Sequence, residues 1–388
     1  MGYGFFVDCR LKNGSALGIS LLVVWDRDRF ISLEDFWNRE LRDRVDDPFL
    51  SGCMIDEYWK LGQRLGYRPF IMVFLCNGEI VGFAPLLLKS RFNARSVENF
   101  DQYTVPEFFV DELREVCIGK MVDYLFRRLN CVSANLTFMD GSDNQKILEM
   151  VCKKRGLGVS RFVGEGEAII PVLSSLEDFK GSLDRKVRKE FRRFGNKLDK
   201  LGSWSISCCG VDRNSIRKVW AVEKYSWKND LEGKKNAIKN WGIRLALSGA
   251  QRNECGGFFD SEIWFLDLND MPIAYVLVLK RHQIVFFAKT SYDQRFRAAS
   301  PGKFLMNVLI ERIFSEQSFE KIDFFSNLPF VRFWKPVIKK RVALKIEKLL
   351  FLSRVLQLGF ENRISSHIFQ FVEQLKWKKK VNSSFCFG

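Results

Sequence analysis

The stretch Arg297-Ala298-Ala299-Ser300-Pro301-Gly302-Lys303 brings together residue types that seat an anion on backbone amides. It stands between an apolar strand pattern and an amphipathic helix pattern running from Pro301 to Phe314. Ser300 is a favourable N-cap and Pro301 a favourable first helical residue, so the spacing predicts a helix start. Helix starts expose unpaired N–H groups and the positive end of the dipole. Gly302 allows close approach to the backbone, and Arg297 and Lys303 add positive charge. A pyrophosphate fits such a cradle. On this reading Arg297 and Gly302 serve binding and leave folding untouched.

The rest of the chemistry is bounded by scarcity. Among 388 residues the only histidines are His282 and His367, which argues against hydrolases built on a positioned imidazole. His282 falls in Lys280-Arg281-His282-Gln283, which reads as a hairpin turn. The ten cysteines include no C-x-x-C pair and lie mostly in apolar stretches. Neither a metal site nor a disulfide framework is expected. Backbone amides, carboxylates, tyrosines and a cofactor remain. The formal charge of +16 calls for an anionic partner; nucleic acid, acidic polysaccharide, anionic lipid and nucleotide phosphates all satisfy it.

A mixed α/β scaffold must position these residues, because helix and strand patterns alternate along the chain. The length suits two domains. Ala16–Trp25 is too short to cross a bilayer and reads as a buried strand, so a cytoplasmic protein is expected. Ser32 is read as the cap of a helix over SLEDFWNREL, and Asn77-Gly78 as the turn of a hairpin. Pro106 is expected to open a helix reaching Arg128. Ser174 and Glu177 have capping-box spacing, followed by a basic helix from Ser182 to Lys200. Three strands are expected over 262–268, 272–279 and 283–290, then the Pro301 helix, a strand over 321–325 and a closing strand over 342–352. The domains expected are 1–165, 166–352 and a basic amphipathic tail over 353–388.

Several short matches give this order a family likeness. SLDRKVRKEFRRFGNKLDK, Ser226-Trp227-Lys228, Pro272-Ile273-Ala274, Tyr292-Asp293 leading to Ser300-Pro301-Gly302, and Ile322-Asp323-Phe324 resemble the second half of CelD-like acetyltransferases. These are GNAT-superfamily proteins associated with cellulose and exopolysaccharide genes and related to FemAB-type transferases. Phe83-Ala84-Pro85-Leu86 matches in the first half. The resemblance covers roughly 32–352. It implies two tandem GNAT-like domains, each a mostly antiparallel sheet flanked by helices, with the acyl-CoA site in the second. Arg297-x-x-Ser300-x-Gly302 is similar to the family's Q/R-x-x-G-x-G/A pyrophosphate loop, with Ser for the first Gly. The implied co-substrate is acetyl-CoA or another acyl-CoA, held by Arg297, Ser300, Pro301, Gly302 and Lys303. Asp323 is the first candidate base and Tyr292 the second; Trp227 is a candidate facing the substrate. Packing is an equal reading for Trp227, and a strand-end carboxylate bonding backbone amides is the stronger one for Asp323.

One departure from the family stands out. Its Gly-containing loop and Tyr-Lys pair are replaced by Asn327-Leu328-Pro329-Phe330-Val331-Arg332, which removes the phenol often assigned to protonate the CoA thiolate. The expected activity is acyl-CoA-dependent N- or O-acyl transfer to a small-molecule or sugar acceptor, as in polysaccharide biosynthesis. The alternatives are a FemAB-like transferase using aminoacyl-tRNA and a catalytically degenerate pair acting as a binding module. From 182 to 200, eight Lys or Arg oppose three acids, while Leu183, Val187, Phe191, Phe194 and Leu198 form an apolar stripe. This helix and the tail ending in Lys376–Lys380 are candidate contacts for an anionic polymer or a membrane surface.

Overall fold

The computed structural model describes residues 6–7, 18–91, 94–101, 104–230, 234–253 and 257–348. Two compact units divide them. The first takes the residues up to Arg44, Tyr58–Gly164 and those from Lys340 on; the second takes Val45–Glu57 and Glu165–Lys339.

In chain order the elements begin with β1 (Phe6–Val7), β2 (Ile19–Val24), α1 (Arg27–Ser32), α2 (Glu34–Leu41) and α3 (Gly52–Arg64). Next come β3 (Arg68–Cys76), β4 (Glu79–Arg91), β5 (Ala94–Asn99), β6 (Glu107–Phe108), α4 (Asp111–Asp123), β7 (Ser133–Met139) and α5 (Asp143–Lys154). Then β8 (Leu157–Pro171), α6 (Leu176–Ser182), α7 (Arg185–Leu201), β9 (Trp204–Cys209), α8 (Arg213–Glu223) and α9 (Lys234–Asn253) follow. The last are β10 (Asp260–Leu268), β11 (Met271–Arg281), β12 (Ile284–Tyr292), α10 (Pro301–Glu316), β13 (Lys321–Asp323) and β14 (Val337–Lys348).

Local chemistry explains most of these boundaries. The Asn77-Gly78 turn has both residues at positive φ, 53° and 89°, the shape that matches strand twist in a tight hairpin. Asn269 and Asp270 do the same between β10 and β11. Helix caps are displaced from their expected places. Asp26 caps α1 by accepting from Arg29 N at 2.9 Å, while Ser32 ends that helix and donates to Arg29 O. Ser175 caps α6 by accepting from Asp178 N. Pro106 precedes the short strand β6, and α4 starts only at Asp111, running into a π-helical turn over Tyr124–Arg128.

Both units have a mostly antiparallel sheet flanked by helices, the expected fold class. The first sheet runs β1-β2-β3-β4-β5-β7-β14, with β6 beside β4; the second runs β8-β13-β12-β11-β10-β9. Each contains one parallel pair, β5 with β7 and β12 with β13. Each also repeats one order: a strand, helices, three antiparallel strands, a helix, then the parallel strand. The duplication is thus one of topology. Val342, Leu344 and Ile346 alternate into the first core, and Arg341–Glu347 pairs antiparallel with β7. The strand expected to close the second domain therefore builds the first sheet, because its apolar alternation finds its partners there. The tail over 353–388 and His367 lie outside the described residues.

In the second unit, Ala274, Val276 and Val278 of β11 pack with Leu305 and Leu309 of α10. Tyr275, one residue out of phase, reaches α8 on the other face. The apolar stripe of α7 joins the α10 side of the core, with Phe191, Phe194 and Leu198 buried. Each such side chain contributes roughly 1.5–3 kcal/mol on burial.

Candidate functional site

β12 ends at Tyr292, and the chain turns through a 3-10 segment, Gln294–Ala299, before α10. Asp293 sets this turn: its carboxylate accepts from Arg295 N at 3.0 Å and pairs with the Arg295 guanidinium at 2.6 Å. That guanidinium lies 3.7 Å from the centre of the Tyr225 ring. Lys197 of α7 donates to Ala298 O at 2.6 Å. The loop is thereby tied to α7 and to the turn that follows α8.

Ser300 does not cap α10. It sits in the left-handed region, φ 50° and ψ 51°, and its side chain makes no capping bond. Such a conformation is costless for glycine and strained for serine, which is the physical sense of a glycine-type loop position. Replacing Ser300 with Gly should leave stability unchanged or raise it by up to about 1 kcal/mol in urea unfolding. A clear loss would show that the hydroxyl does structural work.

The start of α10 leaves two backbone amides without a partner among the described residues. Pro301 has no N–H, and Phe304 N already donates to Ser300 O. The amides of Gly302 and Lys303 make no hydrogen bond with any described residue. Arg297 is exposed and unpaired among the described residues. Lys303 is half-buried with its ammonium 3.7 Å from the Phe333 ring centre. Desolvation lowers its pKa, and the nearby Glu190 partly opposes this. The five expected anion-binding residues therefore share one loop and helix start.

Gly302 has a packing neighbour that its sequence context concealed. It is buried, and a Cβ there would lie 3.3 Å from Tyr292 Cδ1. The expectation that Gly302 leaves folding untouched is corrected: its missing side chain is the space in which Tyr292 packs.

β12 parts from β13 close to its start. Their parallel pairing covers only Ile284–Phe286 against Lys321–Asp323. Beyond it, the register against β11 slips by one between Leu277 and Val278, leaving Ala288 as the extra residue of a bulge. A bulge disrupts the ladder and turns the backbone, here beside the gap between the parallel strands. Asp323 stands where the strands part; it is buried and accepts from Phe325 N at 2.8 Å. It thus bonds backbone, and it lies opposite Phe286, about 20 Å along β12 from Tyr292 at some 3.3 Å per residue. The two candidate bases occupy opposite ends of the gap. Trp227 opens a 3-10 turn over Trp227–Asp230, next to Ser226, whose backbone bridges to Asp293. Its backbone is near Tyr292; its side chain lies outside the described residues.

A buried polar network on the α8 face was not expected. Tyr275 donates to Glu223 Oε1 at 2.7 Å, and Lys228 Nζ lies 4.0 Å from that oxygen while donating to Thr290 O at 2.8 Å. Ser226 and Ser291 hydroxyls bond at 2.8 Å. Burial beside Glu223 holds the Tyr275 phenol well above its ordinary pKa. One sign was present in the sequence: Glu223 falls on the stripe of Ile216, Val219 and Val222, where an acid has no place without a partner.

After β13, Pro329–Trp334 forms a 3-10 turn with Val331 and Trp334 buried and Arg332 exposed. Trp334 Nε1 donates to Asn307 Oδ1 at 3.2 Å. This segment contributes packing and no phenol. Among the described residues no cluster of His, Cys, Asp and Glu could hold a metal, and no helix is long and apolar enough to cross a membrane.

Comparison with known proteins follows the same lines. No curated protein matches the sequence. The fold is similar to that of FemX, at 12% identity and TM-score 0.56, over 80% of this chain and 95% of that one. A protein of unknown function from Bacteroides thetaiotaomicron is also similar, at 12% identity and TM-score 0.54, over 82% of this chain and 97% of that one. So is the C-terminal domain of a putative lysylphosphatidylglycerol synthetase from Agrobacterium fabrum, at 11% identity and TM-score 0.50, over 86% of this chain and 95% of that one. Such identities speak for the fold alone. Residues 185–327, which run from α7 into the bend after β13, match the model of the acetyltransferase (GNAT) domain family.

Proposed function

We propose that the second unit transfers an acyl group from acyl-CoA, acetyl-CoA foremost, to an amine or hydroxyl of a small-molecule or sugar acceptor. The observation that carries this reading is the pair of unclaimed amides, Gly302 and Lys303, at the head of α10 within the GNAT-type segment. They and Arg297 hold the pyrophosphate. The gap between β12 and β13 receives the pantetheine arm, and the backbone around the Ala288 bulge supplies donors for the developing oxyanion. Bound acyl-CoA would supply the activated thioester. The acceptor nitrogen or oxygen bonds to the carbonyl carbon, the C–S bond breaks, and the sulfur leaves as thiolate to be protonated by water. Asp323, where the strands part, takes the acceptor's proton directly or through a water. Glu223 and Lys228 hold the α8 side of β12 in place.

Calorimetric titration with acetyl-CoA tests the reading; no heat at millimolar ligand sinks it. Asp323→Asn keeps an oxygen for Phe325 N, so it should bind acetyl-CoA as wild type does while thiol release to an amine mixture falls at least about a hundredfold. Unchanged release would remove Asp323 from this role. Heat with charged tRNA and none with acetyl-CoA would favour aminoacyl transfer. Binding of acetyl-CoA without release to any amine or hydroxyl acceptor would favour a binding module.

A further inference from the structure

We propose that the outer face of α7 binds nucleic acid through its phosphodiester backbone. Arg185-Lys186, Arg188-Lys189 and Arg192-Arg193 form three adjacent pairs, and all six side chains are exposed. At 3.6 residues per turn these pairs stack about 5 Å apart along the axis and span an arc of roughly 160°. The buried residues Phe191, Phe194 and Leu198 occupy the opposite side. Every exposed position from 185 to 193 is basic, and none of the six forms an ion pair or hydrogen bond with a described residue. Arg185, Lys186, Lys189 and Arg193 line an open depression of about 450 Å³, with Glu190 the one acid in it.

Unpaired like charges packed this closely repel one another, so a polyanion that neutralises them relieves that repulsion on binding. Their repeat along the helix suits a polymer with regularly spaced charges better than a single small anion. Four of the six are Arg, whose planar fork matches phosphate oxygens. A lipid surface fits less well: a helix lying on a membrane inserts its apolar face, and that of α7 is consumed by the unit's own core. With no aromatic side chain on the exposed arc, bases have nothing to stack on. Recognition falls to the backbone, and a duplex of any sequence should serve. The surface stands apart from the acyl-transfer reading, and duplex binding is measured without acyl-CoA.

Fluorescence anisotropy of the full chain with labelled 20-base-pair RNA and DNA duplexes of unrelated sequence provides the test. Binding should be indifferent to sequence, with log K falling against log salt at a slope of about −5 for six neutralised phosphates. The variant Arg188→Gln, Lys189→Gln, Arg192→Gln should lower affinity about tenfold or more and reduce the slope to about −3. Its acetyl-CoA titration and melting temperature should match wild type, since the three side chains are exposed. Absence of duplex binding at 50 mM salt, or an unchanged slope in the variant, overturns the proposal. So does tighter binding to vesicles rich in anionic phospholipid than to either duplex, if the variant loses only the vesicles.

Discussion

Gly302→Asp should weaken acetyl-CoA binding by about a hundredfold and lower the melting temperature by roughly 5 °C. The affinity term is electrostatic. A carboxylate on the second residue of α10 would stand beside the amides proposed to receive the pyrophosphate. Like charges at about 4 Å repel by about 1 kcal/mol in water and about 4 kcal/mol near a protein surface; an intermediate of about 3 kcal/mol gives the hundredfold. The stability term is steric. An acid in the first turn usually helps a helix by about 0.3–1 kcal/mol, but this position is buried and its Cβ would press on Tyr292 at 3.3 Å. Overpacking of that kind costs about 1–3 kcal/mol and outweighs the dipole. Gly302→Ala makes the same contact without the charge. If Ala weakens binding as much as Asp does, the shape of the Tyr292–Gly302 contact governs affinity and the phosphate cradle is wrong. If neither variant changes affinity, acyl-CoA does not bind at this helix.

The same few residues show how far a sequence can be read here. Gly302 is legible as an early residue of α10 because strand, loop and helix patterns follow one another within 25 residues. Its contact with Tyr292 was not, because local spacing says nothing about which ring occupies a missing side chain's place. Both hairpins were legible because residues with positive φ are confined to two positions between alternating runs. The register slip at Ala288 was not, since no glycine or proline marks it. The amphipathic period of α7 shows its buried face, whereas the sequence assigns β14 to the second unit and the structure to the first. Apolar alternation specifies a face but not a partner, and β7, the partner of β14, lies some 200 residues earlier in the chain. Asp323 was bonded to backbone as its strand-end position implied. The Glu223 network was missed because a lone acid on an apolar stripe gains its meaning only from Tyr275 and Lys228, brought by later turns of the chain.

The second large effect concerns a carboxyl in the first unit. Glu107, on β6, is half-buried at the residue level, but its carboxyl is removed from water and accepts from Asn144 Nδ2 at 2.9 Å. Desolvation raises its pKa from the ordinary 4.5 to about 7, against the opposing influences of Arg114 and the Asn144 bond. Between these values the folded chain keeps a proton that the unfolded chain has released. Folded stability therefore falls as pH rises from about 4.5 to 7, and the loss is complete above 7. The difference corresponds to about 3 kcal/mol at alkaline pH, and to nothing below about pH 4.5. Glu107→Gln removes the charge and retains an oxygen for Asn144, whose own Oδ1 is buried without a hydrogen-bond partner in the structure. Urea unfolding should show the variant about 2–3 kcal/mol more stable than wild type at pH 8 and equal to it near pH 4.5. A gain of the same size at both pH values would mean that shape, not titration, separates the two. A loss at pH 8 would mean that the carboxylate is charged and well paired in the folded chain, with Arg114 the stronger influence on Glu107.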